Sequence, residues 1–289
     1  MNKRNKAVII YKKPYLIFLI PSLVGIAVFY IIPYCDIFRR AFFATSGKEF
    51  VGLGNFTDII TNEAFLLAIR NTGRFVVVCI PLLLILSFAI ALYIYNRLSE
   101  NTLLKTMFLA PMAIPVATVV LFWKILFQKQ GLLNALLAAL DINTIDWMNT
   151  GYAFWILVLS YVWKNLGYHI ILWIAGLSMI PNNLYEAARI DGAESRQIFF
   201  RITLPNLKPM IFVVVVLALL NSFKVFREAY LVAGNYPNES MYLIQHLFNN
   251  WFASLSLEKL AAGSVLLALT LLVFVCVLFL AWNSQDRGM

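Results

Sequence analysis

Six long apolar stretches, at roughly residues 15–34, 74–95, 103–127, 153–180, 210–233 and 260–282, set the pattern of this chain. About 20 apolar residues are needed for a helix to cross a bilayer core, so each stretch predicts a membrane span. Only helices and closed barrels satisfy every backbone group in lipid, and runs of this length are helical. The fourth stretch is long enough to run past the bilayer. The first carries Pro21 and Pro33, and the third Pro111 and Pro115; such prolines are tolerated where neighbouring helices satisfy the freed carbonyls. The expected fold is an all-α membrane protein of six transmembrane helices in one domain, residues 1–289.

The polar positions are as informative. Residues 186–205, EAARIDGAESRQIFFRITLP, form a charged island between the fourth and fifth stretches. Three acids (Glu186, Asp191, Glu194) and three arginines (Arg189, Arg196, Arg201) lie in it, in a chain that is 13% charged. A charged side chain at the bilayer centre costs about 3 kcal/mol or more, so the island belongs in water. Asn183 is placed to cap a short helix, with Glu186 three residues on in the capping-box position. Gly192 permits a turn that a residue with a Cβ resists. Ala187 and Ala188 leave one face flat. The island reads as a docking element on the water side of a membrane.

Composition agrees: 62% of the 289 residues are hydrophobic, where soluble domains sit near half. The net charge of +9 is spread over short loops and the N-terminus, which fits an anionic cytoplasmic leaflet rather than nucleic acid. By the positive-inside rule, Lys3, Arg4, Lys6, Lys12 and Lys13 put the N-terminus in the cytoplasm. An even number of spans returns the C-terminus there and places Arg97, Lys105, the island and Arg287 on the same side. The loops at 36–70, 128–152 and 234–258 fall outside, with 44–62 an ordered loop carrying Gly47, Gly52, Gly54 and Asn55. The first apolar run lacks a small-residue cleavage site and reads as a span rather than a cleaved signal. Cys35, Cys79 and Cys276 form no CxxC, and Cys79 and Cys276 read as small buried side chains.

Catalytic and metal-binding motifs are missing. No GxxxxGK[ST] phosphate loop, HExxH or GxSxG occurs, and His169 and His246 have no ligand spacing around them. Neither an integral membrane enzyme, a membrane scaffold nor an ion channel fits well. The polar residues at bilayer depth are the candidates for a solute path. The fourth stretch reads YVWKNLGYHIILW (161–173) and the fifth ALLNSFKVFREAYLV (218–232). Tyr161, Asn165 and Tyr168 share one helical face, and Asn221, Lys224 and Glu228 another. Aromatic rings with amides suit a sugar; the alternative is bonding between helices. Lys124 and Lys164 follow tryptophans and are expected to snorkel. Lys224 and Arg227, with Glu228 the one acid nearby, favour an anionic solute unless Arg227 pairs with Glu228.

The order EAA, DGA, ITLP in the island resembles the cytoplasmic loop of permease subunits in binding-protein-dependent ABC importers. PYLIFLIPSLVGIAVFYIIP, FVGLGNFTDII, RNTGRFVVV, LAPMAIPVATVVLFWKILF, GLLNALL and GLSMIPNNLYEAARIDGA resemble further landmarks of that family, covering most of 14–230. The wording is most similar to the maltose and multiple-sugar permeases. The resemblance implies a type I ABC importer permease fold, with 14–35 a first, peripheral span, 71–282 a five-helix core and 181–205 the coupling-helix loop. Docking on an ATPase subunit would fall to Glu186, Ala187, Ala188, Asp191 and Gly192. The solute path would fall to Tyr161, Lys164, Asn165, Tyr168, Asn221, Ser222, Lys224 and Val225. Implied partners are a second homologous permease, two ATPase subunits that bind ATP and Mg, an extracytoplasmic solute-binding protein and a carbohydrate. This chain itself would hold no cofactor and no catalytic or metal residue. It would be a multi-pass protein of a prokaryotic cell membrane with both termini cytoplasmic. Lys224 and Arg227 stand where relatives often have an acid or glutamine, and Gly234-Asn235-Tyr236-Pro237 replaces a glycine-rich turn. The first departure keeps a uronate, a sialylated sugar or glycerol phosphate open as the solute.

Overall fold

The computed structural model describes residues 14–97 and 102–286. Lys3, Arg4, Lys6, Lys12, Lys13 and Arg287, on which the expected orientation leans, lie outside the described residues. Helices account for nearly all of the rest: α1 Pro14–Ile26, α2 Ile32–Ala41, α3 Gly54–Ile60, α4 Glu63–Arg97, α5 Thr102–Ala113, α6 Val116–Phe127, α7 Leu132–Ala139, α8 Tyr152–Ser178, α9 Asn182–Ile190, α10 Ser195–Ile198, α11 Leu204–Asn206, α12 Lys208–Ser222, α13 Phe226–Ala233, α14 Ile244–Ala253 and α15 Leu257–Asp286.

Among the described residues, five helical segments are long and apolar enough to cross a membrane: Phe18–Ala41, Glu63–Asn96, Val116–Ala139, Lys208–Ala233 and Leu257–Leu280. In the fourth expected stretch, α8 has the length, 27 residues or about 40 Å at 1.5 Å per residue. Its middle, with Lys164, Asn165, Tyr168 and His169, is less apolar than the other five. The third expected stretch is divided. Pro115 is extended at ψ 143°, and a proline disfavours helical geometry in the residue before it, so α5 stops and α6 begins beyond the proline. Two further prolines shape the helices without ending them. Pro33 and Pro205 offer no N–H to the carbonyl four residues back and their rings press on it. In both places the preceding turn widens into π geometry, at Ala27–Ile31 and Phe199–Thr203, with Ile32 N–H donating to Ala27 O and Leu204 N–H to Phe199 O.

The chain divides into two compact units, one comprising Met1–Asn62 with Trp251–Leu271 and the other Glu63–Asn250 with Leu272–Met289. In the first, the expected outer loop is fixed by Asn55, whose Nδ2 donates to Ala41 O at 3.0 Å and Phe43 O at 2.9 Å. The Phe42 and Phe56 rings pack 5.2 Å apart. In the second, α4, α8 and α12 surround a core of Ala91, Ile94, Ile170, Trp173, Ile174 and Val214. Trp173 Nε1 donates to Ser87 Oγ there at 3.0 Å. Close approach of α8 to α12 depends on Gly176: a Cβ at that position would lie 2.7 Å from Met210 Cγ. Cys79 is buried as expected, but Cys276 is exposed, because this half of α15 leaves its apolar side chains, Leu272, Val273 and Val277 among them, open.

Candidate docking loop and polar cavity

The island builds a surface element. α9 starts at Asn182 after Pro181, which is its N-cap and supplies no side-chain bond. Asn183 is therefore inside the first turn and does not cap, so the expected box with Glu186 is not formed. The capping box is one helix later, where Glu194 accepts from the Gln197 backbone and Gln197 Oε1 accepts from Glu194 N–H at 2.9 Å. The C-terminus of α9 follows the sequence expectation. Gly192 has φ +74°, its N–H donates to Arg189 O at 3.1 Å and Ala193 N–H to Ala188 O at 2.9 Å. That pair of bonds is a Schellman motif closed by a left-handed glycine. No residue of α9 is buried. Glu186, Ala187, Asp191 and Gly192 are exposed and Ala188 half-buried, and apolar Ile190 is 86% exposed. A cavity of about 520 Å³ behind α9 brings Tyr95 and Asn96 of α4 to Tyr185, Glu186 and Arg189.

The polar cavity lies where the fifth span tightens locally. α12 ends at Ser222, a single 3-10 turn covers Phe223–Val225, and α13 starts at Phe226. Hydroxyls take carbonyls near the end of α12: Tyr161 Oη donates to Ala218 O at 2.7 Å and Ser222 Oγ to Leu219 O at 2.6 Å. A cavity of about 140 Å³ opens beside this turn, and Tyr161, Lys164, Asn165, Asn221, Lys224 and Val225 line it, joined by Met112, Val116, Arg227 and Glu228. Tyr168 and Ser222 are not among its lining residues. Met112 and Val116 flank Pro115, and that proline was the sequence signal for them.

Two of the lining residues form a buried ion pair. Lys164 Nζ lies 2.6 Å from Glu228 Oε1, with side chains 17% and 7% exposed. Lys164 therefore does not snorkel, and Glu228 is not the partner of Arg227. Lys224 Nζ donates to the Asn221 amide oxygen at 2.7 Å, and Asn165 Nδ2 to Tyr161 O at 2.8 Å within α8. Glu228 Oε2, Ser160 Oγ and Trp123 Nε1 are buried with no partner among the described residues. All three residues line one small cavity of about 10 Å³, the scale of a single water. Further along α6 and α13 a vestibule of about 310 Å³ is lined by Lys124, Lys129, Asp146, Asn149, Tyr236 and Asn238, with others. Sequence reasoning did not single out this vestibule. Asn238 Nδ2 donates to Asn149 O at 2.9 Å across it, a bond spanning 89 residues that no local pattern announces.

Residues 84–289 match the family described as the binding-protein-dependent transport system inner membrane component. The chain is 32% identical over 266 residues to a trehalose/maltose transport system permease protein of Thermococcus litoralis, covering 90% of this chain and 88% of that protein. It is 30% identical over 287 residues to an arabinooligosaccharides transport system permease protein of Bacillus subtilis, covering 95% and 90%. A solved bacterial alginate ABC transporter, in complex with an alginate pentasaccharide-bound periplasmic protein, superposes with a TM-score of 0.81 at 23% identity over 96% of each chain. The chain belongs to the family of binding-protein-dependent inner membrane permeases. It has the fold of an ABC importer permease and is a transport component rather than an enzyme.

Proposed function

We propose that this chain is one permease subunit of an ATP-driven importer and forms half of the path for a carbohydrate delivered by an external solute-binding protein. The observation that carries the reading is α9: a nine-residue helix with no buried residue, closed by the Gly192 turn and bearing the family's loop sequence. An apolar side chain as exposed as Ile190 on a rigid element fits a protein partner. Two ATPase subunits, which bind ATP and Mg, dock on this loop (181–205) and on its counterpart in a second, homologous permease. The span at 14–35 is peripheral and 71–282 is the five-helix core. Both termini are cytoplasmic. The names of the relatives, sugar permeases by description, support a carbohydrate, and a relative crystallised with its periplasmic protein supports the external delivery partner. A membrane scaffold or enzyme has no comparable support.

The test is reconstitution. The chain is co-expressed with its partner permease and ATPase, a cysteine replaces Ala188, and a bifunctional thiol crosslinker is applied. The expected outcome is a crosslink to the ATPase, and sugar uptake into vesicles only when binding protein and ATP are both supplied. An Ala188 cysteine that links to nothing in an intact complex, or uptake independent of ATP, would defeat the reading.

A further inference from the structure

Cations outnumber free acids along the whole polar path, and the acids present are already engaged. The inner cavity is lined by Lys164, Lys224 and Arg227 against Glu228. Lys164 and Glu228 cancel each other, and the second oxygen of Glu228 is buried without a partner among the described residues. Lys224 and Arg227 are exposed in this chain, and the partner of Lys224 is a neutral amide. In the vestibule, Lys124 and Lys129 stand against Asp146, whose carboxylate accepts from Asn149 N and Nδ2. Among the described residues the ion pairs are those of Asp36 with Arg39 and Arg40 and that of Lys164 with Glu228, so none of these four cations is in one.

We infer that the path is selective for acidic oligosaccharides, sugars bearing carboxylates, over neutral ones; this rests on the carbohydrate reading above. A cation on a span is expensive, and one that persists faces a water-filled path or a counter-charge. Lys224 and Arg227 are exposed on the cavity at the 3-10 turn of the fifth span, where a passing solute supplies the counter-charge. The cations also recur along the path. Val116 lines the inner cavity and Lys124 the vestibule, eight residues apart on α6, or about 12 Å. Cations distributed over that length fit a chain with several carboxylates better than one phosphate group. Each carboxylate gains a charge-assisted hydrogen bond that a neutral hydroxyl does not match, and the positive vestibule raises the local concentration of anions.

The experiment uses the complete importer in vesicles with its binding protein. The probes are oligogalacturonate, oligoalginate and oligoglucuronate, each beside its carboxyl-reduced neutral counterpart, and sn-glycerol 3-phosphate. An acidic member taken up faster than its neutral counterpart is the expected result. Lys224→Gln and Arg227→Gln should each lower the acidic-to-neutral uptake ratio at least tenfold, and Lys224→Arg should retain it. Co-purification of the ATPase reports that each variant is assembled. Uptake of neutral sugars alone overturns the inference and leaves the carbohydrate reading standing. So does a ratio that stays constant in the glutamine variants, which assigns the cations to bracing the partner permease. Uptake of sn-glycerol 3-phosphate alone, or of no saccharide, overturns both.

Discussion

The Lys164–Glu228 pair gives a prediction whose size separates two descriptions of the polar cavity. If the pair behaved like an exposed surface contact, removing one member would cost about 0.2–1 kcal/mol. Its geometry says otherwise. The contact is 2.6 Å, the two side chains are 17% and 7% exposed, and it joins α8 to α13 across 64 residues of sequence. Removing one member of a buried pair strands the other charge and costs about 3–5 kcal/mol. Lys164→Met should be the worse variant, because Glu228 is the more deeply buried partner and its Oε2 has no donor among the described residues. Glu228→Leu strands Lys164, whose ammonium has more access to the cavity. Lys164→Met with Glu228→Leu removes both charges together, and replacing a buried pair by apolar groups of similar volume is often neutral. The double variant should therefore be more stable than either single one. The assay is unfolding in mixed micelles against a rising fraction of sodium dodecyl sulfate, read as the free energy of unfolding for all four proteins. The reasoning fails if Lys164→Met lies within about 0.5 kcal/mol of the parent, or if the double variant is as unstable as the worse single one.

Two further outcomes are expected. Gly192→Pro removes the N–H that bonds Arg189 O and forces a φ near −65° where the chain has +74°; transport should be lost while the chain stays in the membrane, and solute uptake at the parent rate would contradict the docking role. His246 is fully buried, its Nδ1 accepts the Leu243 N–H at 3.1 Å, and desolvation lowers its pKa to about 4. The unfolded chain has an ordinary value near 6.5 and binds the proton first. Stability is thus full above about pH 6.5 and falls toward pH 4, by about 3 kcal/mol at most. Detergent unfolding at pH 7.5 and 4.5 should show this slope in the parent and a flatter one in His246→Phe; equal slopes would refute the assignment.

The spans were legible because about 20 apolar residues in a row have few other uses. The charged surface loop was legible because charges cannot stay in lipid, and Gly192 because a left-handed turn needs it. What the sequence hid was set by proline or by distance. Pro181 moved the helix start so that Asn183 no longer capped, although Asn183 and Glu186 have the right spacing. Pro115 divided a stretch whose hydropathy is continuous. α4 begins at Glu63 rather than near residue 74, since its first turns carry polar residues, Glu63, Arg70, Asn71 and Thr72, that a search for apolar runs discards; Arg74, just beyond them, stacks over the Phe154 ring at 4.2 Å. The partners of Tyr161 and Lys164 are 57 and 64 residues away, beyond any periodicity.

Those distant partners change what the polar residues of the fourth and fifth spans are for. A buried polar group costs free energy unless it is bonded, so a group already bonded inside the protein has little left to offer a solute. Tyr161 is 2% exposed and Ser222 is 3%, and their hydroxyls are given to carbonyls of α12. Lys164 and Glu228 are given to each other. Tyr161 and the Lys164–Glu228 pair tie the fifth span to α8 on either side of its 3-10 turn, while Ser222 bonds within its own helix. Asn221, Lys224 and Arg227 line the same cavity, the two cations exposed and Asn221 half-buried, beside a scaffold whose bonds are already made. On the transport reading, Tyr161 lines the cavity but is 2% exposed with its hydroxyl engaged, so recognition there would rest more on the exposed charges and amides than on its ring. Lys224 and Arg227, the two basic residues that departed from the family pattern, are the exposed charged side chains of that cavity, where Lys164 is half-buried and Glu228 buried.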